Sequence, residues 1–304
     1  MCCDLNEDLL EILAEEYSCV SVTRDYSFVL ADPKVDAVVL ATPAQMHFAM
    51  AKRALDAGKH VFVEKPLSLQ VEDAEFLYRQ AEETGLVLMV GHLMVYHPGI
   101  RKLKHCVDSG SLGDIQYIYT QRVNFGIVRK NESVLWSLGP HDVSVVAYLL
   151  DQEPHTVSAH GASYIQKGVE DVVFCNLRYS NNVMAQIHVS WLDPHKIRRL
   201  TIVGNQRMAV FDDLKPIGKI HIYENSVGRD EYPVSDQSAQ AHRGVVTVPD
   251  IENAEPLRLE CEHFLECIRK GERPCSDGRD GLRVIRVLDA AQRSMNTRGV
   301  PIKL

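Results

Sequence analysis

The stretch Gly58-Lys-His-Val-Phe-Val-Glu-Lys-Pro-Leu67 decides the reading of the fold. Residues 60–63 read as a short strand buried on both faces. Pro66 cannot extend it, because proline lacks an N–H and restrains the residue before it. Lys65 is therefore delivered at the C-terminal end of a strand, where an open α/β sheet places its chemistry. A surface lysine after a strand is the plain alternative.

Outward from this corner the chain alternates helical and strand patterns. Residues 44–57 read as a helix closed by Gly58, and residues 71–84 as a helix closed by Gly85, the usual glycine stop. The apolar runs 37–40 and 86–90 read as strands, and residues 6–16 as a further helix. Such alternation argues for parallel βαβ units. After Pro98 the pattern changes to a helix at 100–109, then longer strands at 115–124, 156–165, 171–179, 183–192, 198–203, 208–212 and 220–224. A run of strands of this kind suggests a largely antiparallel sheet in a second domain. Helices are expected at 256–270 and 281–297, a polar loop at 227–244, and a helix at 143–150.

The 304 residues allow two domains. Acidic residues number 41 against 33 basic, a net charge of -8, which argues against a general nucleic-acid or anionic-membrane binder. The eight cysteines include no Cys-x-x-Cys pair, so no disulfide framework or zinc ribbon is indicated. Cys261, His263 and Cys267 do not converge at helical spacing, and no metal site is expected. No apolar run reaches the ~18 residues of a membrane span. A cytoplasmic protein is expected.

Glu64-Lys65-Pro66 resembles the Glu-Lys-Pro signature of the glucose-fructose oxidoreductase and inositol dehydrogenase family, Gfo/Idh/MocA. There this lysine touches the substrate hydroxyl, and the Lys-Pro peptide is often cis. The resemblance runs over essentially the whole chain. It implies an α/β protein with an incomplete Rossmann-like dinucleotide-binding domain (1–98), followed by a substrate-binding α+β domain with a large, mostly antiparallel sheet (99–304). It implies NAD as cofactor. Ala41-Thr-Pro-Ala-Gln-Met-His47 resembles the family's Thr-Pro-x-x-x-His loop, so Thr42 and Pro43 are expected beside the nicotinamide with Glu64 and Lys65. His47 is either a cofactor neighbour or a structural helix residue. His92 and Tyr96, after the last strand of the first domain, are expected to line the cofactor and substrate sides or simply to pack.

Asp4 resembles the acidic residue that ends the family's second strand and accepts a hydrogen bond from the adenine ribose, with a helix N-cap as the alternative. A carboxylate there favours NAD over NADP. No G-x-G-x-x-G occurs anywhere in the sequence. The chain is thus expected to begin inside the fold, roughly 30 residues late by the spacing of glycine turn and acid. It is expected to bind NAD poorly or to misfold as written, whereas a longer product would bind well; NAD affinity and thermal melting of both lengths check this.

Oxidation of a secondary alcohol needs a proton acceptor and a positive group for the developing alkoxide. Lys65 supplies the second, and a histidine is the natural partner. His141, in Leu135-Trp-Ser-Leu-Gly-Pro-His-Asp-Val-Ser144, resembles the catalytic histidine of the family's Asp-x-Gly-x-His-x-x-Asp motif. Ser137 stands where most relatives have Asp; Asp142 reads as a helix cap, with replacement of that missing charge as the alternative. Gln121-Arg-Val-Asn-Phe-Gly-Ile-Val-Arg-Lys-Asn131 brings Arg122, Asn124, Arg129 and Asn131 to the end of a strand ahead of His141, guanidinium forks for phosphate and amides for sugar, with an exposed salt-bridged loop as the alternative. With Trp136 this resembles the branch that oxidises the 3-hydroxyl of UDP-N-acetylglucosamine or its uronic acid. A free sugar or inositol, or a noncatalytic sugar-binding remnant, are the alternatives. An open sheet in the second domain points to a homo-oligomer.

Overall fold

The computed structural model describes residues 1–126, 128–130, 132–224, 226–227, 241–242 and 244–304. Asn131 lies outside them, as does most of the expected loop at 227–244. The chain divides into two compact units: Met1–Gly91 with Phe264–Gly278, and His92–His263 with Arg279–Leu304. The sequence reading put the division after Pro98; the contacts put it after Gly91 and return 264–278 to the first unit.

The first unit runs β1 (Cys2–Cys3), α1 (Glu7–Glu16), β2 (Val22–Thr23), α2 (Tyr26–Ala31), β3 (Ala37–Leu40), α3 (Ala44–Asp56), β4 (His60–Glu64), α4 (Val71–Thr84) and β5 (Leu88–Gly91). Local chemistry sets these bounds. Asn6 caps α1 by accepting from the Leu9 N–H at 3.3 Å, and Gly85 closes α4 at φ 67°, a left-handed position that suits glycine. Strands β3, β4 and β5 form one parallel sheet in that order, with Val61 opposite both Val38 and Leu88. β1 and β2 pair in parallel as a separate sheet.

No ladder joins β1 to β3 among the described residues. In β3, Val39 is 61% exposed while Val38 and Leu40 are 7% and 2% exposed. Alternate residues point to opposite faces of a strand, so only the face carrying Val39 lies open.

Residues 264–278 complete this unit. Phe264 packs on Phe62 with ring centroids 5.6 Å apart. The Val90 N–H donates to the Ser276 carbonyl, and the Ser276 hydroxyl donates to the Val90 carbonyl, each at 2.8 Å. A Met89–Asp277 bridge extends the contact along β5.

The second unit opens with a 3-10 turn (Leu93–Tyr96), followed by α5 (Pro98–Asp108), β6 (Ile115–Phe125), α6 (Val134–Leu150), β7 (Thr156–Ala162), β8 (Val172–Arg178), β9 (Met184–Ser190), β10 (Leu192–Gly204), β11 (Met208–Asp212) and β12 (Ile220–Tyr223). Short strands β13 (Ser226–Val227), β14 (Ala241–His242) and β15 (Val246–Thr247) precede α7 (Pro256–Lys270), α8 (Gly278–Asn296) and β16 (Ile302–Lys303). Nine strands form one sheet in the order β15-β12-β11-β10-β6-β9-β8-β7-β16. Only β6 and β9 pair in parallel within it. One face, with Ile118, Val173, Ala185, Ile187 and Ile202, is buried under the helices. On the other, Tyr117, Phe174 and Met184 are exposed. α6 starts nine residues earlier than the expected 143, and the helix runs through Gly139 and Pro140. Gly139 earns its place by close packing, since a Cβ there would lie 3.2 Å from Leu288 Cδ2.

Candidate active site

In the first unit the site is built at the C-terminal ends of β3 and β4. β4 delivers Glu64 and then Lys65, and the Lys65–Pro66 peptide is cis. His47, buried in α3, holds this corner: one ring nitrogen lies 2.7 Å from the Pro66 carbonyl and the other 2.7 Å from the Thr42 carbonyl. It thus ties the loop after β3 to the loop after β4. Pro43 sits at the N-terminal boundary of α3, leaving Thr42 at the strand end. The Glu64 carboxylate accepts from the Lys65 N–H at 3.3 Å and lies against Gly91, where a Cβ would sit 3.0 Å from Glu64 Oε2. Asp4 follows β1, and its Oδ1 accepts from the Asn6 N–H at 2.8 Å. The cap of α1 is Asn6, so the alternative reading of Asp4 as N-cap falls away.

In the second unit α6 carries Ser137 and His141 four residues apart, one turn apart on one helix face. Ser137 is buried and His141 half-buried. Asp142 is not a helix cap. It lies well inside α6 and accepts from Arg122 Nε at 2.7 Å, with the two side chains only 7% and 11% exposed. The reason the sequence misled is that Pro140 resembles a helix start. Arg122, expected to reach a phosphate, therefore spends its Nε on α6. Arg129 pairs with Glu132 at 3.1 Å. Asn124 Oδ1 is buried with no hydrogen-bond partner among the described residues. His92 is buried at the foot of the 3-10 turn. Tyr96 is fully buried, its ring 5.5 Å from that of His263 and 5.1 Å from the Arg101 guanidinium carbon, which places it in the core of this unit.

Sequence reasoning missed the Arg122–Asp142 pair and the Glu64–Gly91 contact. The pair spans strand and helix, so no local pattern signals it. Gly91, ending an apolar strand, is a signal that another group approaches closely.

A dinucleotide can be tested against these residues. The Thr42 Oγ1 is buried with no hydrogen-bond partner among the described residues, as expected of a hydroxyl kept for a ligand. Asp4 offers an exposed carboxylate at a strand end, suited to ribose hydroxyls. These two side chains are chemically compatible with a dinucleotide, while the sequence contains no glycine-rich turn for the pyrophosphate. Among the described residues no helix is long and apolar enough to cross a membrane.

Residues 3–92 match the family described as "Oxidoreductase family, NAD-binding Rossmann fold", and residues 100–210 match the GFO/IDH/MocA C-terminal domain. The chain is 30% identical over 263 residues to UDP-N-acetylglucosamine 3-dehydrogenase of Acidithiobacillus ferrooxidans, covering 83% of this chain and 76% of that protein. It is 26% identical to scyllo-inositol 2-dehydrogenase (NAD(+)) of Bacillus subtilis, over 97% of this chain and 85% of that one. The solved structure of the Acidithiobacillus ferrooxidans enzyme superposes with a TM-score of 0.81 at 27% identity, covering 97% of this chain and 89% of that chain.

Proposed function

Because the chain belongs to the GFO/IDH/MocA oxidoreductase family, we propose that it oxidises the 3-hydroxyl of a UDP-N-acetylhexosamine or its uronic acid. NAD, when bound, accepts the hydride. Lys65 stabilises the negative charge that develops on the substrate oxygen, and His141 takes the hydroxyl proton. Ser137, one turn before His141, positions the substrate by hydrogen bonding; a serine cannot serve as a relay carboxylate. Thr42 and Asp4 orient the dinucleotide. The observation that carries the reading is the Lys65–Pro66 corner at the end of β4, pinned on its carbonyl by His47.

A second reading, oxidation of a free sugar or inositol, is favoured by one observation. The two arginines that pointed to a phosphate pair with Asp142 and Glu132. NADH formation from UDP-N-acetylglucosamine, its uronic acid and inositols separates the two. Turnover of the UDP-sugars alone supports the first reading; turnover of inositol alone overturns it in favour of the second. Lys65→Ala and His141→Ala are each expected to lower turnover by about 10²- to 10⁴-fold with melting unchanged. Unaltered turnover in both would remove these residues from the chemistry. Absence of any turnover in chain that binds UDP-sugar would favour a noncatalytic binding protein.

We also propose that the exposed sheet face bearing Tyr117, Phe174 and Met184 is covered by a second copy of the chain. Its exposed aromatic residues suit an interface.

A further inference from the structure

α6 is buried nearly all round: Val134, Leu135, Gly139, Pro140, Val143, Val145, Val146 and Leu149 all lie in the core. A helix apolar on every side has no amphipathic stripe to fix its rotation about its own axis, because burial is non-directional. Yet a rotation by one residue position, 100°, would carry His141 away from wherever it acts. Some directional contact has to choose the rotation.

The Arg122–Asp142 pair meets that need. Arg122 lies in β6, which is hydrogen-bonded on both edges, with Arg122 opposite Arg198 of β10 on one side and Val189 of β9 on the other. Its backbone is therefore held on the stiff middle of the sheet. From there Nε reaches Asp142 Oδ2 at 2.7 Å, and Asp142 is the next residue after His141. A buried, charge-assisted bond is short, directional and costly to break from one side.

We propose that Arg122 and Asp142 are positioning residues that lock the rotation of α6 and so aim His141. This rests on the reading of His141 as proton acceptor, and it removes Arg122 from the substrate's phosphate. The pair contributes register rather than net stability, the best-attested use of a buried ion pair.

The test uses the full-length chain with Arg122→Gln, Asp142→Asn and the double variant, against His141→Ala. Amide hydrogen exchange needs no turnover. Each single variant leaves one buried charge without its partner and is expected to speed exchange across residues 134–146 by about tenfold, while β8 and β9 keep their protection. The double variant, with a Gln–Asn hydrogen bond in place of the ion pair, is expected to recover most of that protection. With NAD and UDP-N-acetylglucosamine or inositol, each single variant is expected to lose about 100-fold in kcat with KM nearly unchanged, and the double to regain much of it. Wild-type exchange in α6 in both singles overturns the proposal. So does faster exchange spread evenly over the whole unit with kcat unchanged, the mark of a merely structural pair. If His141→Ala keeps full turnover, the reading of His141 fails, while the exchange pattern still decides whether the pair locks the helix.

Discussion

His47 shows how one side chain can hold a reactive corner without taking part in the reaction. Its two ring nitrogens face carbonyl oxygens of Thr42 and Pro66, groups that can only accept. His47→Ala strands both carbonyls in a buried place, at about 1–3 kcal/mol for each unsatisfied group. We expect lower thermal stability and reduced turnover, read by calorimetry and NADH formation; an unchanged melting temperature would show that the pinning contributes nothing. Gly91→Ala acts on the same corner from the neighbouring strand. The added Cβ would lie 3.2 Å from Glu64 Cα, so β4 and β5 must separate slightly at a cost of about 1 kcal/mol. At this scale the sequence was generous where chemistry is local. Lys65 was legible because a strand pattern meets a proline. The partner of Asp142 was not, because Arg122 reaches it only through the packing of a helix on a sheet.

At the scale of elements, two histidines hold backbone groups as neutral acceptors. His97 Nδ1 caps α5 by accepting from the Gly99 N–H at 3.0 Å, and His60 Nδ1 accepts from the Val87 N–H at 2.9 Å at the start of the β4–β5 pairing. Burial lowers the pKa of both, against an opposing pull from Asp213 on His97 and from Asp36 on His60. A folded pKa below the unfolded value of about 6.5 means that the unfolded chain binds more protons in that window. The stability these groups contribute is therefore present above about pH 6.5 and is lost as pH falls through their folded values. Asp213 has the same sign lower down. Burial pushes its pKa up, but Lys219, by charge and hydrogen bond, and then His97 and Arg198, outweigh burial and hold it below the ordinary carboxylate value of about 3.9. Its contribution is lost as pH falls below that range. Melting curves should show a decline that begins below about pH 6.5 and steepens under about pH 4. His97→Asn with His60→Asn should flatten the upper part; a slope as steep as in the parent chain would exclude these groups as its source. Element types were largely legible from periodicity, whereas α6 was read short because Gly139-Pro140 mimics a boundary that tertiary packing overrides.

At the scale of the whole molecule, the large sheet of the second unit gives the assembly prediction. Sedimentation or light scattering should report an oligomer, and charges placed on the exposed face, Tyr117→Glu with Phe174→Glu, should shift it to a smaller species. A parent chain that sediments as a monomer would overturn the proposed pairing. The α/β alternation followed by a strand-rich stretch made the two-part organisation readable from the sequence. The return of residues 264–278 to the first unit was not, because nothing local in α7 marks where its contacts change. That return has a temporal consequence. Besides its pairing with β4, β5 is bonded by Ser276 and Asp277, and Phe62 is covered by Phe264. On the ribosome, residues 1–91 therefore have to wait for residues 264–278 to emerge. In the meantime the second unit's strands are synthesised beside an unfinished sheet with an unsatisfied edge, the state most open to wrong pairing.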